Sequence, residues 1–444
     1  MLCIFVLISG FPLYSNAKDP EFGLVEQPRV FSLPPAPLLL LLQKVVHEHP
    51  QVKNQLQAMQ VSGMDVLIAE QAYWPTPSVA LERVQTPSSD PSYAGSPQVL
   101  TLRLQQPIWT GGRLRAQSNK ALANQQIETA RLAELQQLIA FKTLQDWTEM
   151  VIAQRQQVVL SESEKTQTLL MQKMMRRVEQ GLSSQSEANH SKLRLMQVEQ
   201  DIVNAKQRET VAWIKVKQWV PEAQRNEQHV IALDHYTTIA ARKLISTETA
   251  NPSPTHWELL SKERSPALKR LDQVMALQTA ELEEKRAALQ PEVYLRAEHQ
   301  RGHYAYGNLP ASNRIFVGLT ASTGAGFSLA HQLTALQLKR NSTLEEIDAA
   351  QRILIETVHT DFFNAIARQS KAEALQLNLE SSQEQQAAWE RQFTNGRKTW
   401  IDVMIAAKET TQAELAVIEN DMALHQSLWR LHIQAYGVLS WVAP

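Results

Sequence analysis

The residues that could carry chemistry are few and poorly grouped. "TGAG" at 323 to 326 supplies Gly324 and Gly326, but not the third glycine or the later acidic residue of a dinucleotide site. No Walker motif is present, so any energy must come from partners. His47 and His49 flank one residue, and His299 and His303 straddle a glycine-bearing stretch. Neither pair has the carboxylate or cysteine company of a metal site, so surface histidine is the reading. The single cysteine is Cys3. The chain is therefore expected to be no enzyme and to need no cofactor.

Carboxylates and glycines do recur in order. "RRVEQGLSSQSEA" at 176 to 188 aligns with "RQFTNGRKTWIDV" at 391 to 403, pairing Gly181 with Gly396 and Glu187 with Asp402. "HPQVKNQLQAMQ" at 49 to 60 meets "SPALKRLDQVMA" at 265 to 276. At the same offset "YWPTPSVALE" meets "LQPEVYLRAE". "KQWVP" at 217 to 221 meets "LSWVAP" at 439 to 444. Two copies of one plan follow.

Each copy reads as a helix stopped by a proline, a strand, a polar loop, a returning strand and two long helices. The first repeat spans 41–221, with a β-hairpin at 78–106 and a helical hairpin at 113–220. The second spans 256–444, with a hairpin at 291–321 and helices at 330–438. The opening helices run from about Leu41 to Tyr73 and from about His256 to Leu289. Residues 18–40 read as an extended linker and 222–255 as a polar linker between the repeats. The apolar run from Leu2 to Leu13, followed by Ser15-Asn16-Ala17, predicts a signal peptide over 1–17. The mature chain would then have no thiol, which fits an oxidising compartment.

The returning strands alternate. Leu100, Leu102 and Leu104 share one face, opposite Thr101, Arg103 and Gln105; Ile315, Val317 and Leu319 do the same opposite Phe316, Gly318 and Thr320. This suits a soluble sandwich or a membrane barrel with a wet lumen. Four strands per chain cannot close a membrane barrel, whose smallest single-chain form has about eight, so a barrel needs several chains. The long helices carry spacings of three and four, as in Leu132, Leu135, Ile139 and Leu144, Trp147, Val151, Val158. About 65 helical residues reach roughly 100 Å, the length of a stalk or tunnel wall. A net charge of −1 gives no global field to hold nucleic acid. No run of about 20 apolar residues follows the N-terminus, which argues against a helical inner-membrane protein.

Strand meets helix at "LQQPIWTGGRLRAQ". Pro107 offers no N–H and is expected to end strand pairing. Gly111 and Gly112 permit a turn before Arg113, although "TGG" also fits an ordinary loop. The second repeat has "ASTGAGFSLAHQ" in this place. Trp74 and Trp109 lie beside the strands, where a membrane interface, a core or a protomer contact would each suit them.

Together these residues resemble the TolC family of outer-membrane efflux and secretion proteins, over about Leu40 to Val442. The resemblance implies a mixed α/β, mainly α fold with two structural repeats. It implies a homotrimer whose twelve-stranded barrel sits in outer-membrane lipid and continues as a periplasmic α-helical barrel. The partners implied are a periplasmic adaptor (membrane fusion) protein and an inner-membrane pump or ABC transporter. Efflux and type I secretion are both open; a periplasmic helical-hairpin adaptor without channel activity is the alternative. Gly181 and Gly396 match the helix-tip turns, and Pro107, Gly111, Gly112 and Arg113 the strand-to-helix junction. Asp402 matches an aspartate that rings the periplasmic entrance, with Ile405 where a second often sits. Glu187 and Lys398 match an acidic and a basic gate partner, and a Glu187–Lys398 contact is expected. Phe393 replaces a gate tyrosine.

Overall fold

A computed structural model describes residues 34–83, 96, 98–220, 253–302, 313–321 and 328–442. The predicted signal peptide, residues 222–252 of the linker, and Gly324 and Gly326 lie outside them.

The first repeat holds α1 (Ala36–Glu48), α2 (Pro50–Gln71), β1 (Thr76–Arg83), β2 (Gln98–Trp109), α3 (Arg113–Glu179) and α4 (Gln185–Trp219). The second holds α5 (Thr255–Arg264), α6 (Pro266–Ala287), β3 (Glu292–Arg301), β4 (Asn313–Thr320), α7 (Leu329–Thr394), α8 (Trp400–Tyr436) and the short α9 (Leu439–Val442). The opening helix of each repeat, expected as one piece, is two. Pro50 and Pro266 occupy first helical positions. The residue before each is pushed out of the helical region: His49 has ψ 134° and Ser265 ψ 117°. Both then serve as caps. The His49 ring accepts the Gln51 N–H at 3.3 Å, and Ser265 Oγ accepts the Leu268 N–H at 3.3 Å.

α3 pairs with α4 and α7 with α8, while α2 lies along α3 and α6 lies against both α3 and α7. The main core forms where α1, α3, α4 and α8 meet. Leu38, Leu42, Ile139, Leu144, Trp147, Val216, Trp429 and Ile433 are buried there. Beyond this core α3 buries Gln156, Leu160, Ser163, Gln167, Leu170 and Met174, spaced alternately by four and three. Val158, expected on the buried stripe, falls off it and is 60% exposed. Half of that stripe is polar. Gln156 Nε2 donates to Glu419 at 2.9 Å, and Ser163 and Thr411 hydroxyls meet at 3.0 Å. The seam between α3 and α8 thus combines hydrogen bonds with apolar contacts such as Leu170 and Met174 against Val403 and Met404.

The strands form one antiparallel sheet in the order β1-β2-β3-β4. Pro107 does not end pairing as expected. β2 runs past its last β1 partner, the Thr76–Gln105 pair, and stays paired with β3 through Trp109, with an irregularity between Pro107 and Trp109. A bulge is one of the places where a strand tolerates a residue without an N–H.

Candidate functional site

The sheet register sorts the strand residues onto two faces. Val79 opposes Leu102, Leu81 opposes Leu100, Leu104 opposes Ala297, and Leu295 opposes Val317. With Ile315 and Leu319 they make one largely apolar face, which carries Arg83, His299 and Arg301 only toward the hairpin-loop end. Ile315, Val317 and Val79 are 78%, 77% and 70% exposed. Arg103, Gln105, Arg296, Glu298, Gln300 and Phe316 alternate with them and point the other way. Here side chains crowd. The Arg296 guanidinium lies 4.5 Å from the Phe316 ring centroid, and Glu298 receives Arg103 Nε at 3.4 Å. A Cβ on Gly318 would come within 2.2 Å of the Tyr294 ring, so the glycine there leaves room for the tyrosine. In a water-soluble sheet the apolar face would be the crowded one.

At the junction Gly111 and Gly112 take φ values of +59° and +91°. A Cβ on Gly111 would also sit 2.6 Å from Gln290 Cβ. The turn aims Arg113 at the first residue of β3. Arg113 Nε and Nη2 both donate to the Glu292 carboxylate, Nη2 at 3.1 Å, in a bidentate pair joining the two repeats.

Both helix tips are built alike. Gly181 (φ +72°) and Gly396 (φ +71°) each end a long helix. The N–H groups of Leu182 and Arg397 reach back to the carbonyls of Arg177 and Gln392, closing a Schellman turn in each. Glu187 and Asp402 then close capping boxes with Ser184 and Thr399. Asp402 accepts the Thr399 hydroxyl at 2.8 Å and N–H at 3.0 Å. These bonds, with Lys398 nearby, hold its carboxyl below the usual aspartate range. Among the described residues no ion pair joins Glu187 to Lys398 within the chain, contrary to the expected contact. Glu187 is turned to its own cap, and Lys398 Nζ sits 4.0 Å from the Trp389 ring centroid. Phe393 packs on Trp400 at 5.0 Å and carries the Arg177 guanidinium at 4.8 Å.

Sequence reasoning passed over Trp400. It is 1% exposed, and its Nε1 donates to Ser191 Oγ on α4 at 2.6 Å. Ser191 in turn donates to the Glu187 carbonyl at 3.0 Å. The two tips are thereby tied within one chain. The capping boxes were legible as Ser-x-x-Glu and Thr-x-x-Asp; the Trp400–Ser191 bond joins residues 209 apart and had no local signal.

Among the described residues no group of three or more His, Cys, Asp or Glu could hold a metal ion, and no helix is long and apolar enough to cross a membrane. Residues 41–220 match the family model described as outer membrane efflux protein. No curated protein sequence matches the chain. Solved structures do. CusC, described in terms of transmembrane channel formation, aligns at 12% identity with TM-score 0.79, covering 94% of this chain and 96% of its own. The outer-membrane channel OprN aligns at 16% with TM-score 0.72, covering 90% of each. The outer membrane protein VceC of Vibrio cholerae aligns at 13% with TM-score 0.72, covering 91% and 96%. At these identities the likeness is one of fold, and the neighbours are outer-membrane proteins, not enzymes. The family model thus matches the first repeat, and the described residues of both repeats share the fold of these outer-membrane channels.

Proposed function

We propose that this protein is the outer-membrane exit duct of a tripartite efflux assembly. Three copies close a twelve-stranded barrel, and the paired long helices continue it across the periplasm of a Gram-negative cell. The observation that carries this reading is the inverted sheet, with its apolar face the more exposed and its polar face crowded by ion pairs. Lipid accepts such an outer face, and a wet lumen accepts the other. β1 and β4 are the edge strands, and pairing β4 of one copy with β1 of the next removes every open edge.

Transport is passive, and the helix tips gate it. Threefold symmetry brings three Asp402 carboxylates around one axis, a ring that attracts cations. A periplasmic adaptor, working with an inner-membrane pump, shifts the gate only as far as it prefers the open tip. The polar seam between α3 and α8 suits this, because its hydrogen bonds can be exchanged for water when the helices part. The efflux description of the family favours small solutes over secreted proteins.

The test is planar-bilayer conductance of the detergent-solubilised trimer, with and without a multivalent cation. Small cation-blocked channels are expected, with block lost in Asp402→Ala. Well-folded protein that never enters a bilayer overturns the reading; block retained by Asp402→Ala overturns the ring.

A further inference from the structure

The described arginines of the polar face gather in one band of the sheet. One transverse row of the register reads Ser78, Arg103, Glu298, Arg314, with all four residues on the polar face. The next row toward the helices reads Thr76, Gln105, Arg296, Phe316. Three arginines thus gather around one glutamate. Arg103 Nε lies 3.4 Å from Glu298 Oε2 and Arg296 Nε lies 3.7 Å from the same oxygen, while Arg314 faces Glu298 across the β3–β4 pair. The Glu298 side chain is only 10% exposed, whereas that of Arg103 is 43% exposed. The carboxylate is covered by its arginines, and guanidinium surface is what remains in view. The Arg296 guanidinium also sits over the Phe316 ring at 4.5 Å, a cation–π contact.

Among the described residues the other charges on this face are remote from the cluster. Glu82 is four residues along β1 from Ser78, about 13 Å at strand rise. Glu292, four residues before Arg296 on β3, is bound by Arg113. Three arginines against one glutamate leave two positive charges per chain, and six in a threefold barrel. The cluster also needs both repeats, since Arg103 comes from the first hairpin and the others from the second.

We propose that this arginine band is a selectivity element of the exit passage that favours small organic anions, solutes bearing carboxylate, sulfate or phosphate groups. Guanidinium planes pair with such groups through two parallel N–H donors. A band of net positive charge in a passage with low-dielectric walls concentrates counter-ions. The inference rests on the duct reading above, which places the polar face inside the barrel.

The experiment is the reversal potential of single trimeric channels across a tenfold KCl gradient. Salt is kept at or below about 0.1 M so that the Debye length stays near 10 Å. The triple variant Arg103→Gln, Arg296→Gln, Arg314→Gln is expected to raise the potassium-to-chloride permeability ratio severalfold. Glu298→Gln, which adds net positive charge without removing an arginine, is expected to lower it. Opposite shifts in the two variants support the band, and general damage to the barrel would not produce them. If the triple variant fails to assemble, Glu298→Gln alone decides. An unchanged ratio in variants that conduct normally overturns the band and leaves the duct standing. A parent protein that inserts but never conducts, even with the tip tie removed by Trp400→Phe, overturns both.

Discussion

Trp400→Phe removes the indole N–H that reaches Ser191 Oγ at 2.6 Å and keeps an aromatic ring in the tip core. The bond is buried on the α8 side, and Ser191 still has the Glu187 carbonyl as acceptor. The lost bond is therefore worth an ordinary net value of about 1 kcal/mol. Ser191→Ala removes the acceptor and strands the buried indole N–H, at about 1–3 kcal/mol. Each change also alters packing, a cost that cancels in the double-mutant cycle. Amide exchange of the first turns of α8, followed by mass spectrometry, reports local opening of this tip. About 1 kcal/mol corresponds to roughly fivefold faster exchange, and about 3 kcal/mol to roughly 150-fold. The double variant is expected to fall short of the sum of the two by about 1–2 kcal/mol. Strict additivity would refute the claim that this bond ties the tips. In the proposed trimer, three copies acting together would raise the effect on a concerted gate to about 3 kcal/mol in Trp400→Phe, visible as open probability.

Gly111→Ala is expected to destabilise the junction by more than the roughly 1–2 kcal/mol of a left-handed alanine, because its Cβ also meets Gln290. Gly112→Ala carries the backbone cost alone, so thermal melting should rank the two in that order. His432, stacked on Trp441 at 4.5 Å, is pushed down to about 4 by burial. Its folded pKa lies below the unfolded 6.5, so the unfolded state takes up the proton first and stability falls between those values. The loss is about 2 kcal/mol by pH 5 and should vanish from urea titrations of His432→Gln. Asp402 has linkage of the same sign, in the carboxylate range. Its lowered carboxyl stabilises the tip above the ordinary aspartate range, and that stability is lost as pH falls through the folded value. Protease cutting at the tip should rise there in the parent and show no such step in Asp402→Asn.

Much of this architecture was written locally. Gly181 and Gly396 mark the tips because a Schellman turn needs a positive φ, and the residues around them had already repeated in sequence. The alternation of Leu100, Leu102 and Leu104 needed only the pleat of a strand. The breaks at Pro50 and Pro266 were also local, since proline restricts the residue before it; the repeat paired those prolines without their being taken as breaks.

The rest required the third dimension. Whether Val158 or Leu160 is buried depends on the phase of α3 against α8, and the polar seam of Gln156, Ser163 and Gln167 hides that phase from an apolar count. The partner of Lys398 turned out to be the Trp389 ring nine residues back, because Glu187 was already taken by its own cap. Arg113 meets Glu292 across 179 residues, and Arg103 meets Glu298 across 195. Sequence by itself determined the repeat, the element types and the punctuation, all of which arise from interactions within a few residues. Only the tertiary structure decided which charges pair and which remain, because β2 against β3 is a register between repeats, and a slip of one residue there would put Arg103 on the face opposite Arg296 and Arg314.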